Sequence, residues 1–192
     1  RGGLGAVMGS KGLKLIVVDG AGAPGVEIAD KELFDQGRKK LADALRSHAI
    51  TKPGGALNSY GTAVLVNIVN EAGGLPTRNF RDGNFEHAEP ISAEDIMESI
   101  GVGMEGCWAC AVRCKKVVKA DDPYDVDPAY GGPEYEALGS LGSDCGVGDP
   151  VAISKANAIC NANSLDAISA GATVAFAMEC FENGLLTTED TD

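Results

Sequence analysis

Three cysteines fall within eight residues, in Cys107-Trp108-Ala109-Cys110-Ala111-Val112-Arg113-Cys114. This C-x2-C-x3-C spacing constrains the chain more than any other feature. Thiols this close can point into one concave loop, and a loop that grips a metal becomes a fixed point for the fold around it. A [4Fe–4S] cluster needs four thiolates, commonly three from one loop and a fourth from elsewhere. Arg113, Lys115 and Lys116 favour thiolate and offset cluster charge. Lys115, not Pro, follows the last cysteine, so the loop is not of the bacterial ferredoxin type. On spacing alone a zinc site completed from afar, or inert thiols, remain alternatives. Cys145 is a candidate fourth ligand. Cys160 and Cys180 lie in apolar helical stretches and read as small buried hydrophobes. With no secretory signal, clustered thiols read as ligands and not as disulfides.

Charge narrows the function classes. The chain of 192 residues carries 16 Lys and Arg against 28 Asp and Glu, a net charge of −12. That argues against binding a phosphate backbone, so no nucleic-acid partner is expected. No apolar run reaches the ~18 residues of a membrane span. A soluble, cytoplasmic protein is the expectation. Aromatic residues make up only 5%, while glycine counts 26, about twice the usual ~7%. Such a core is built from small aliphatics with backbones close together. The chain opens on Arg and ends on Glu189-Asp190-Thr191-Asp192, which suggests a piece of a longer protein.

Hydrophobic periodicity predicts a mainly α fold preceded by a short β-strand. Leu13 to Val18 reads as that strand, and the turn formers from Asp19 to Gly25 as a boundary. Helices are expected from Asp30 to His48, Tyr60 to Ala72, Ser92 to Ile100, Glu134 to Leu141, Asp149 to Asn163 and Leu165 to Asn183. Asp30 and Asp149 are natural N-caps. Ala167, Ala170, Gly171, Ala172 and Ala175 permit close helix contact. Asp121 to Asp127 reads as a solvated excursion.

Several weaker patterns could carry chemistry. Arg1-Gly2-Gly3-Leu4-Gly5 could cradle an anion through backbone N–H groups, or be a plain turn. Glu134 and Glu136, after Gly131-Gly132-Pro133, could serve as general base and hydrogen-bond acceptor, or merely decorate a helix start. Arg78 could hold an anion or pair with an acid. His48 and His87 read as surface residues.

Five blocks in register resemble the tungsten- and molybdenum-dependent aldehyde:ferredoxin oxidoreductase family. They are Arg1 to Lys11, Gly74-Leu75-Pro76-Thr77-Arg78-Asn79-Phe80, the three cysteines, Gly132-Pro133-Glu134-Tyr135-Glu136, and Cys160-Asn161-Ala162-Asn163-Ser164-Leu165-Asp166. The resemblance implies a fold divided into residues 1–25, the tail of a pterin-binding β domain, and 26–192, a multihelical middle domain. It implies a tungsten or molybdenum bis-pterin, a magnesium ion bridging the pterins, and a [4Fe–4S] cluster on Cys107, Cys110 and Cys114. The fourth cluster ligand would come from a domain outside this chain. Arg1, Gly2, Asn161, Leu165 and Asp166 match cofactor-binding positions. Asn161 stands where the family's D-x-x-G-L-D block has its first acid, and Ser164 where it has glycine, a position that suits φ > 0. Glu136, with Glu134 beside it, matches the acid near the metal. The implied reaction is oxidation of an aldehyde to a carboxylic acid, with ferredoxin as electron acceptor. The implied partners are the remaining domains of the same enzyme and a second copy in a homo-oligomer. A non-enzymatic iron–sulfur electron-transfer module and a zinc-stapled helical scaffold are the alternatives.

Overall fold

In a computed structural model, residues 2–191 are described. The fold is mainly α, as periodicity predicts: nine α-helices and one small two-stranded sheet among the described residues. The helices are α1 (Leu4–Ser10), α2 (Lys31–Ser47), α3 (Ala56–Tyr60), α4 (Leu65–Glu71), α5 (Ala93–Ser99), α6 (Tyr135–Leu141), α7 (Pro150–Ala162), α8 (Ala167–Glu182) and α9 (Thr188–Thr191). Strands β1 (Gly101–Glu105) and β2 (Lys115–Val118) pair antiparallel, with Met104 opposite Lys116 and a bulge between Gly101 and Gly103.

Short acidic or hydroxyl side chains start the helices by satisfying free N–H groups. Asp30 accepts from Leu33 N–H at 2.9 Å, Asp149 from Val151 N–H at 2.8 Å, and Ser92 from Asp95 N–H at 3.3 Å. The core is aliphatic. Val66 of α4, Ile96 of α5, Val118 of β2, Leu138 of α6 and Ile153 of α7 meet around Phe85 and Leu75. Helix α8 turns back at 120° to α7 and lies on α6. Gly171 permits that approach: a Cβ there would sit 2.5 Å from the carbonyl of Ser140. No single helix among the described residues is long and apolar enough to cross a membrane.

Four local expectations need correction. Leu13 to Val18 is not a strand here, because none of the described residues offers it a pairing edge. The expected glycine-rich loop at the start instead coils into α1 after Gly3, at φ 67°. The helix expected over Tyr60 to Ala72 is broken into α3, a 3-10 turn at Gly61–Val64, and α4. Gly61 causes the break: it is buried at φ 68° against the backbone of Cys114. The acidic excursion is not wholly solvated, since Val126 joins the core and Ala120 pairs with it.

Candidate functional site

The N-termini of α6 and α8 and the C-terminal half of α7 enclose a cleft of about 270 Å³. It is lined by Gly2, Glu134, Glu136, Ala137, Asn157, Asn161, Asp166, Ala167 and Ile168. Five of these are residues that the sequence singles out: Gly2, Glu134, Glu136, Asn161 and Asp166. They come from three blocks spread over the whole chain, and folding brings them to one concavity. Arg1 lies outside the described residues. Leu165 does not line the cleft; it is half exposed, and its N–H bonds the carbonyl of Cys160 at 2.8 Å.

Asp166 caps α8. Its carboxylate accepts from the Ser169 hydroxyl at 2.7 Å and the Ser169 N–H at 2.9 Å. These bonds, led by the hydroxyl and joined by the Gly2 N–H, hold Asp166 below the usual carboxylate range. The turn before it needs a left-handed residue, and Ser164 takes that conformation at φ 57°. The glycine-rich start docks on this turn. A Cβ on Gly5 would fall 2.4 Å from the Ser164 hydroxyl, so only glycine fits there.

The two glutamates differ in their surroundings. Glu134 accepts from the Thr62 hydroxyl at 2.6 Å, and Thr62 in turn accepts from Tyr135 N–H at 2.9 Å. That network locks Glu134 to the 3-10 turn after α3. The Glu136 carboxylate is exposed to the cleft and carries no hydrogen bond among the described residues. Burial, and then the Glu136 charge, push the Tyr135 hydroxyl up.

Sequence reasoning passed over Asn157. It is buried, it lines the cleft, and its Nδ2 has no hydrogen-bond partner among the described residues. Burying an amide N–H unpaired costs roughly 1–3 kcal/mol, so the position suits a ligand that accepts there. The clue was in the spacing: Asn157 stands four residues before Asn161, on the same helix face. Asn161 donates to the carbonyl of Tyr130 at 3.2 Å and also lines a second hollow with Glu105, Lys115 and Lys116. That hollow shares Asn161 with the cleft and is lined on its other side by the β1–β2 hairpin.

The hairpin loop carries the three cysteines. Cys107 and Cys110 are exposed and Cys114 half-buried. Ala109 and Arg113 adopt left-handed φ of 58° and 54°. Backbone N–H groups of Arg113, first, and Val112 hold the Cys110 thiol below its ordinary value. Among the described residues no three His, Cys, Asp or Glu side chains are gathered closely enough to hold a metal ion. The donor chemistry of the loop suits a soft metal or cluster nonetheless. Cys145 does not join the loop. Its thiol is buried, donates to the carbonyls of Ser140 at 3.3 Å and Gly171 at 3.5 Å, and burial pushes it up to about 11. Cys160 is also buried. Arg78 pairs with Glu86 and with Asp82 at 3.6 Å, the structural one of its two readings.

Comparison with known proteins supplies the family. A profile described as "Aldehyde ferredoxin oxidoreductase, domains 2 & 3" matches residues 36–192. The chain is 44% identical to the tungsten-containing aldehyde ferredoxin oxidoreductase of Thermococcus kodakarensis and 43% identical to that of Pyrococcus horikoshii, in each case over 99% of its own length. It is 29% identical, over 98% of its length, to the aliphatic sulfonate oxidoreductase WOR-like subunit of Pyrococcus furiosus. It spans about 30% of the length of these relatives. With a family profile matched across most of the chain, the chain belongs to the aldehyde ferredoxin oxidoreductase family of enzymes.

Proposed function

We propose that the protein containing this chain oxidises aldehydes to carboxylic acids and hands the electrons to a ferredoxin. The observation that carries this reading is the cleft that gathers Gly2, Glu134, Glu136, Asn157, Asn161 and Asp166. The similar proteins are named as tungsten-containing, so a tungsten bis-pterin is the cofactor we assign, ahead of molybdenum. The unpartnered Nδ2 of Asn157 and the Asp166 carboxylate are a donor and an acceptor suited to the hydrogen-bonding edge of a pterin. Cys107, Cys110 and Cys114 would supply three ligands to a [4Fe–4S] cluster, and the fourth would come from outside the chain. A magnesium ion bridging the pterins completes the cofactor set we assign. We further assign residues 1–25 to a neighbouring domain and 26–192 to the helical domain, with the rest of the enzyme and a second copy as partners.

A bound tungsten centre supplies two-electron oxidation, and a cluster supplies one-electron relay. The chain's own residues do the remainder. Asn157, Asn161 and Asp166 bind and orient the pterin. Glu136, free of hydrogen bonds to the described residues, takes the proton from the water that adds to the substrate carbonyl. Glu134, fixed by Thr62, keeps the start of α6 in place beneath it. A sulfonate substrate is the second reading, and the lower identity to that relative makes it the weaker one.

The test uses the full-length protein purified without oxygen. Iron and tungsten content with aldehyde-dependent reduction of ferredoxin are expected together. Zinc without iron would overturn the reading in favour of a scaffold. In the loaded enzyme Glu136→Gln is expected to lower kcat by roughly 10²–10⁴-fold, the usual worth of a general base, with metal content unchanged.

A further inference from the structure

We propose that residues 58–62 are a strut that couples the cysteine loop to the glutamates of the cleft, and that Thr62 is the positioning residue that closes it. The inference rests on the cluster assigned to Cys107, Cys110 and Cys114. The strut is the end of α3 and the start of the 3-10 turn that follows. It meets the loop at two points. Asn58 donates from Nδ2 to the carbonyl of Val112 at 2.9 Å, and its Oδ1 is held by the Gly54 N–H at 2.8 Å. Gly61 lies against Cys114, where a Cβ would sit 2.5 Å from the carbonyl oxygen. Thr62, the next residue, serves the cleft. Its hydroxyl donates to Glu134 at 2.6 Å and accepts from the Tyr135 N–H at 2.9 Å. One short segment thus grips the third cysteine on one side and the start of α6 on the other.

A second connection turns the strut into a closed ring. The Gly132 N–H donates to the carbonyl of Lys116 at 2.8 Å, and a Cβ on Gly132 would fall 2.6 Å from Lys116 Cγ. The ring runs from Cys114 along β2 to Lys116, across to Gly132, and through Pro133 to Glu134. From Glu134 it crosses to Thr62 and returns through Gly61 to Cys114. Each crossing is a hydrogen bond or a contact that only glycine permits. Lys116, Gly61 and Gly132 are buried, and a close-packed interior transmits displacement instead of absorbing it. Drawing Cys114 onto a metal therefore moves Glu134 from both sides. Glu136 lies in the first turn of α6, so loading the loop sets where its carboxylate stands in the cleft. Coupling between sites travels through contiguous packed and hydrogen-bonded groups of this kind.

The test uses the full-length protein purified without oxygen, and its main readout is the rate at which a ferrous chelator strips iron. That rate does not depend on turnover. The Thr62 hydroxyl bonds the α6 side and not the loop, yet Thr62→Val is expected to speed iron loss by roughly threefold or more, as for linked sites. Thr62→Ser keeps the hydroxyl and should match wild type. Asn58→Leu frees the loop end of the strut and should speed iron loss as well. The double variant should then lose iron no faster than Asn58→Leu alone. The coupling also runs the other way. Asn58 lies outside the cleft lining, but Asn58→Leu should raise hydrogen exchange at the Tyr135 amide by roughly threefold or more, compared at equal tungsten content. Iron loss at the wild-type rate in Thr62→Val, rates that multiply in the double variant, or unchanged exchange at Tyr135 would each overturn the strut and leave the cluster and aldehyde readings intact. If one single variant does not fold or holds no iron, the other decides alone. A wild-type protein without iron would overturn the cluster assignment, and the strut with it.

Discussion

Ser164 is held at φ 57°, where a side chain is crowded by its own backbone. Ser164→Gly is expected to stabilise the protein by roughly 0.5–1 kcal/mol, a left-handed penalty of ~1–2 less a glycine entropy cost of ~0.4–1. A lower melting temperature would show that the Ser164 hydroxyl, packed on Gly5, matters more than the strain. Asp144 makes the opposite kind of prediction, one that depends on pH. Burial raises its folded-state pKa above the ordinary 3.8. The folded state therefore holds the proton more tightly. The stability this contributes is fully present below about pH 3.8 and is lost as pH rises through the folded value. Asp144→Asn keeps an acceptor for Phe80 N–H but cannot ionise, so the melting difference should shift in the variant's favour between pH 4 and pH 7. A pH-independent difference would mean that Asp144 is ionised throughout. Residues of this kind divide what a sequence discloses. The left-handed demand at Ser164 was legible because glycine belongs there in the family pattern. The demand at Arg78, Asn79 and Phe80 was not, because nothing in those side chains announces it. It comes from the Ser143 and Asp144 groups some 64 positions away.

Elements were legible where the code is local and obscure where it is not. Caps at Asp30 and Asp149, and the small face of α8, follow from nearest-neighbour chemistry, and α2 and α7 begin right after those caps. The β1–β2 hairpin has no such code. Its strands are five and four residues long, one is glycine-rich, and the cysteine loop that joins them offers no two-residue turn signature. The break between α3 and α4 is a tertiary effect as well. Gly61, at φ 68° and ψ −160°, sits in a region that essentially glycine alone occupies, and a Cβ there would meet the Cys114 carbonyl oxygen at 2.5 Å. Gly61→Ala is therefore expected to cost about 3 kcal/mol or more and, by pushing on Cys114, to lower iron content in the full-length protein. Gly37 is the control. It lies within α2 with nothing near its would-be Cβ, and Gly37→Ala should stabilise by about 1 kcal/mol. Equal effects at the two glycines would remove the argument that backbone contact at Gly61 fixes the cysteine loop.

For the molecule as a whole the question is what covers its first quarter. Residues 11–41 are all exposed. Ile16, Val17 and Val18 are 70%, 79% and 86% accessible, and α2 is amphipathic yet buries none of its residues, leaving Leu33, Phe34 and Leu41 in the open. Scattered apolar side chains on a surface are ordinary, but a continuous extended run beside an unpartnered helix is not. An extended segment with unpaired N–H and C=O groups is also a template for another strand. The candidate site has the same one-sided character. Its cleft is open, and among the described residues its thiols are not gathered into a metal-binding group. The core around Phe85 and Leu138, in contrast, is closed and well packed, so the helical part does not need the missing surface in order to fold. It follows that the 192-residue chain expressed alone should adopt its helices, bind little tungsten, and associate through the 13–18 run and α2. Light scattering on the eluting peak should report dimers or larger species. Replacing Ile16 and Val18 by Lys should shift them toward monomer. A monomer in the unsubstituted chain, with its circular dichroism helical, would show that these apolar residues find cover within the chain itself.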